Sequence, residues 1–244
     1  MRQEPTNIAK LVHGSTLIFS GTVVALGVSS VANLPPQDNF AVVRVGRLIR
    51  SDSALDLRDK LVTVALRDRG ELGSGALAIF FTTDWIHGGG IAAREVAHIN
   101  AQQEAEVAAE VDLLPERHLA ERLAGAALVV VADVTRVEPT PFDVRWRNAP
   151  QWAAASLGSI EVLHGEAEPD PMVLFPTSTR PTWIRSPRLR TGQRVILILR
   201  RPSDWPPLPE SHPYNAFTAL DPADVQPTTE RPLVERLLAQ GSVG

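Results

Sequence analysis

GAALVVVADVTRV, residues Gly125–Val137, decides the fold of this 244-residue chain, because an earlier stretch reads the same way. Gly14–Leu26, GSTLIFSGTVVAL, lies 111 residues upstream. Each opens on glycine and soon runs through three apolar residues, Leu17-Ile18-Phe19 or Leu128-Val129-Val130. In each a small residue, Gly21 or Ala132, stands two positions before a valine, Val23 or Val134. One parity is apolar or small throughout, and the other turns polar at Ser20 and Thr22, or at Asp133 and Thr135. That alternation predicts a strand with one buried face. Its recurrence predicts an internal duplication.

Outward from these strands the elements recur in order. Thr6 or Asn7 caps a short helix through His13, and Pro115 opens another that carries Leu119 and Leu123. Phe40–Ile49, Leu61–Leu66 and Ala76–Thr82 read as strands, Asp84–Gly90 as a loop, and Glu95–Ile99 as a short fifth strand before a helix at Ala101–Val111. In the second half Ser156–Leu163, Met172–Phe175 and Gly192–Leu199 repeat the strands, and Asp204-Trp205 repeats Asp84-Trp85. Thr218–Val225 supplies a last short strand. Thr228 or Thr229 caps a terminal helix with Leu233, Leu237 and Leu238 on one face. Short strands at near-regular spacing predict a mainly β protein with flanking α-helices, built as two tandem OB-type small β-barrel units over 1–112 and 113–244.

Composition narrows the function. The chain is 44% hydrophobic and carries a formal charge of −4, so it exerts no global pull on nucleic acid or anionic membranes. It has no cysteine, which excludes disulfides, thiolate metal sites and a cysteine nucleophile. That fits a reducing, cytoplasmic setting, although a secreted mature form with an added methionine reads the same. No run approaches the roughly 18 apolar residues of a membrane span.

The strand ALVVVADVTRV and the ending IEVLHG at Ile160–Gly165 resemble the netrin-like module of tissue inhibitors of metalloproteinases. The strand Gly192–Leu199 after a glycine turn fits the same pattern. The resemblance implies a five-stranded OB-type barrel with terminal helices and a habit of binding rather than catalysis. Those inhibitors rely on disulfides and on a metal-chelating N-terminal cysteine. This chain has no cysteine, so the inhibitory residues have no positions here.

The sharpest chemical feature is Arg180–Arg201, with seven arginines, Trp183 and no acidic residue. OB-type barrels bind oligonucleotides through a cationic groove with stacking aromatics. Arg180, Trp183, Arg185, Arg188, Arg190 and Arg194 are therefore the candidate polyanion site; the competing reading is a solvated loop and strand face. His87 and the three glycines after it resemble an oxyanion loop, but no G-x-S-x-G elbow accompanies them, and a turn is the better reading. The six histidines show no close metal-ligand spacing. No catalytic residue, metal or cofactor is predicted. The expectation is a non-enzymatic protein that contacts a protein partner through loops or edge strands. Nucleic-acid binding is the alternative, and a hydrolase with dispersed residues stands third.

Overall fold

The computed structural model describes residues 7–52, 56–68, 70, 72–87, 90–140, 150–180, 182–202 and 215–241, with the backbone alone described for 84–87. The chain divides into two compact units, Met1–Leu114 and Pro115–Gly244.

The first unit opens with α1 (Ile8–His13), whose N-cap Asn7 accepts the Lys10 N–H at 3.0 Å. Five strands follow: β1 (Leu17–Leu26), β2 (Phe40–Ser51), β3 (Leu61–Ala65), β4 (Leu77–His87) and β5 (Gly90–Asn100). They close a barrel in the order β1-β2-β3-β5-β4, with β3 and β5 parallel. After β5 comes α2 (Glu104–Asp112). The expected loop Asp84–Gly90 is mostly ladder instead. β4 continues to His87 and pairs with β5 down to His87↔Gly90, because Ile79–Thr83 is rich in β-branched and aromatic residues and finds a partner along its whole length. The side chains of Asp84 and Trp85, residues 88–89, and the pair Asp204-Trp205 lie outside what is described.

Inside the barrel Leu17, Phe19 and Val23 meet Val43, Val45, Val62, Val64 and Phe80, and the Phe19 and Phe80 rings stack at 5.5 Å. The other parity of β1 is not solvated at first. Ile18 packs with Ile79 and Phe81 under Ile8, Val12 and Val107, which α1 and α2 supply. The single buried face read from the sequence is therefore two-sided over the first half of the strand, because helices cover its outside.

The second unit contains α3 (Leu114–Ala124), β6 (Leu128–Pro139), β7 (Trp152–Gly165), β8 (Met172–Pro176), β9 (Arg194–Leu199), β10 (Ala216–Thr218), β11 (Val225–Pro227) and α4 (Arg231–Gly241). Its curled sheet runs β10-β8-β7-β6-β9-β11. β10 lies parallel to β8, as β5 does to β3, and one isolated bridge, Arg200↔Thr218, joins the end of β9 to β10. The first unit pairs Thr83 with Arg94 at the corresponding place. Register irregularities fall at Ile18/Phe19, Ser20/Gly21 and Val23/Ala25 in β1, and at Val129/Val130, Val131/Asp133 and Val134/Arg136 in β6.

Leu128, Val130, Ala132 and Val134 point into the second core with Phe175, Leu197 and Phe217. Val129 and Val131 pack outward with Ile196 and Ile198 beneath Leu119, Leu123, Val234 and Leu237 of α3 and α4. Gly165 ends β7 at φ +82°, where a Cβ would lie 2.2 Å from the Ala127 carbonyl oxygen, so only glycine lets β7 pass the start of β6.

Two expectations are corrected here. Thr228 and Thr229 do not cap the last helix by their side chains; they form a 3-10 turn, Thr228–Glu230, that leads into α4. The single strand expected over Thr218–Val225 is two strands split by a second 3-10 turn, Pro222–Asp224. Asp221 accepts the Ala223 N–H at 2.9 Å, and Asp224 accepts the Asp221 N–H at 2.8 Å, a reciprocal cap that replaces ladder pairing. Pro222 has no N–H to offer a ladder.

Candidate functional site

A groove of about 800 Å³ opens on the second unit. Its apolar wall includes Leu119, Trp183, Leu220 and Leu233; Glu116, His118, Arg185, Asp221 and Glu230 supply charge and hydrogen-bonding groups. Two of the segments that build it are longer than their counterparts in the first unit. Eleven residues (66–76) separate β3 from β4, but seventeen (177–193) separate β8 from β9. Where β5 passes residues 95–97 with only a register shift opposite Phe81 and Thr82, six residues (219–224) separate β10 from β11.

The 219–224 segment is pinned from beneath. The Asp224 carboxylate is fully buried and receives Arg122 Nε and Nη2 at 2.7 Å each, together with the Leu220 and Asp221 N–H groups at 2.8 Å. The turn so held presents Asp221 to His118 on α3, with Nε2 and Oδ1 2.9 Å apart. Burial pushes the Asp221 carboxyl up, but the Ala223 N–H, His118 and Arg122 together outweigh it and hold the group below the ordinary carboxylate range. Among the described residues neither groove hydroxyl, Thr182 or Ser186, bonds to the imidazole.

The six predicted residues do not act as one patch. Trp183 and Arg185 reach the groove, although the indole is only 9% exposed. Arg188 turns back on its own loop, donating to the Pro176, Ser178 and Trp183 carbonyls, the last two at 2.9 and 3.1 Å. Arg194 pairs with Asp133 across the β9–β6 ladder at 3.0 Å. Arg180 and Arg190 are exposed, and their backbone N–H groups bond to Ser178 Oγ and Gln193 Oε1. Sequence reasoning missed His118, Asp221, Arg122 and Asp224 as a set. The readable signal was Asp221-Pro-Ala-Asp224, an N-cap with proline at the first helical position and a carboxylate three residues on.

A second oriented histidine lies in the first unit. His98 Nδ1 stands 2.6 Å from the buried Glu95 carboxylate, whose other oxygen accepts the Arg67 N–H at 2.6 Å. The Glu95 hydrogen bond raises the His98 pKa above 6.5, against the opposing effect of burial. Among the described residues no group of three His, Asp or Glu side chains could hold a metal ion. Nor, among them, is any helix long and apolar enough to cross a membrane. No protein family matches the chain, and no curated protein matches it.

Proposed function

We propose that this chain is a non-enzymatic interaction protein whose second unit seats a segment of a protein partner in the Trp183 groove. One observation carries the reading. The groove is built in large part from the two segments by which the second unit exceeds the first, while the strands common to both supply the scaffold. Loops on a rigid scaffold are where binding residues concentrate. A mixed wall of leucines, tryptophan and a few fixed polar groups suits a protein segment.

We read the two units as copies of one OB-type, netrin-like barrel. Two of the three irregularities of β1 recur 111 residues later in β6 and the third recurs within one residue of that offset, which supports a duplication. On this reading one copy kept its fifth strand whole and the other opened it to make the groove.

Site-specific photo-cross-linking tests the proposal. A benzophenone side chain at the exposed groove residue Thr182 should capture a protein from native extract, before and after nuclease treatment. The adduct should vanish when Ala223→Arg fills the groove. Equal capture by the blocked variant, or loss of the adduct with nuclease, would count against a protein partner. Polyanion binding through Arg180–Arg201 has less support, because Arg188 and Arg194 already serve protein acceptors and the Trp183 indole is buried.

A further inference from the structure

A second concavity, of about 620 Å³, lies at the C-terminal end of α3 and is lined by Arg122, Gly125, Arg200, Arg201 and Thr218 among others. No acidic side chain is part of its lining among the described residues. Two of its three guanidinium groups are answered from outside that lining. Arg122 is held by the buried Asp224, and Arg201 pairs with Glu168 while lying 4.5 Å from the centre of the Phe217 ring.

Arg200 is in a different condition. Among the described residues it pairs with no carboxylate. Its Nη2 reaches the Glu121 and Arg122 carbonyl oxygens at 3.4 Å each, longer than an ordinary N–H···O bond, and among the described residues its buried Nε has no partner. The carbonyls at the end of α3 carry partial negative charge, which Arg200 offsets, but those two long contacts employ one of its three nitrogens. Gly125 makes room for the guanidinium, since a Cβ there would stand 2.6 Å from Nη2. A guanidinium presents five N–H donors in a planar fork that matches carboxylate and phosphate oxygens, and it remains charged at every working pH. Thr218 lies beside Arg200, its buried hydroxyl donating to the Arg200 carbonyl oxygen at 3.4 Å, and Arg201, paired with Glu168, adds a second cation.

We infer that this pocket is an oxyanion site, with Arg200 as its anchor and Arg201 and Thr218 beside it, suited to a single phosphate or carboxylate group. The inference stands apart from the groove reading, because different residues carry it. The probes are inorganic phosphate and acetate, titrated into the full chain at constant ionic strength with chloride as the competing anion. Calorimetry follows both, and 31P line broadening follows phosphate. Saturable binding in the millimolar range or tighter is expected, about 4 kcal/mol or more at the standard state. Arg200→Gln should weaken it about tenfold, as removal of a charge-assisted anchor would. Because Arg200 also meets the end of α3, Gly125→Ala serves as a second variant: its methyl displaces the guanidinium and removes no charge. Far-UV circular dichroism confirms that each variant is folded. Binding of phosphate alone points to a phosphorylated ligand, and binding of acetate as well points to a carboxylate. Absence of saturable binding for both anions up to about 50 mM, or affinity unchanged in both variants, would overturn the assignment.

Discussion

Replacing Arg122 by methionine tests the staple that shapes the groove. In the native protein the fully buried Asp224 carboxylate is met by two guanidinium N–H groups at 2.7 Å and two backbone N–H groups at 2.8 Å. Methionine keeps most of the volume and leaves a buried acid with only the two backbone donors. Removing one partner of a buried pair costs about 3–5 kcal/mol. For a unit of this size, that corresponds to a melting transition roughly 10–25 °C lower. Differential scanning calorimetry of the full chain measures it, with each transition fitted separately because two units do not unfold as one two-state system. Adding Asp224→Asn to Arg122→Met removes the stranded charge and should restore part of the loss, since contacting groups couple by about 0.5–3 kcal/mol. A single variant that loses less than about 3 °C, or a double variant no better than the single, would refute the argument.

Other outcomes follow from the core and from the first unit. Leu128→Ala empties an inward position of the second core and should cost about 2–5 kcal/mol, from lost transfer energy plus a cavity; urea denaturation reading the second unit's transition checks it. His98 has a raised pKa, so its pairing with Glu95 contributes stability that is fully present below the unfolded value of 6.5 and is lost as pH rises through the higher folded value. Thermal unfolding between pH 5 and 9 should therefore show the first unit weakening above neutrality relative to His98→Gln, whose profile should be flatter. An NMR titration of the His98 ring giving a pKa at or below 6.5 would contradict this reasoning.

The sequence by itself determined the strands, and for a local reason. Side chains alternate across a strand, so the parity of Leu17-Phe19-Gly21-Val23 and of Leu128-Val130-Ala132-Val134 marks the inward face within a few residues. Asn7 announced its helix by the same local chemistry. Parity could not say that Ile18, Val129 and Val131 would be covered as well, because the residues that cover them lie on helices that pack over the outer face. Nor could it foresee that β4 would run on through Asp84–Trp85 against β5, since ladder length depends on the partner strand. The groove was further from view. His118 and Asp221 are separated by 103 residues, Arg122 and Asp224 by 102, and only the curling of the β6–β9 sheet beneath α3 and the turn between β10 and β11 bring them together. The arginines show the same limit. Their clustering in sequence was plain, but whether each guanidinium meets a carbonyl or a carboxylate depends on which face of the loop or strand carries it and on what packs there, and the tertiary structure alone decided that.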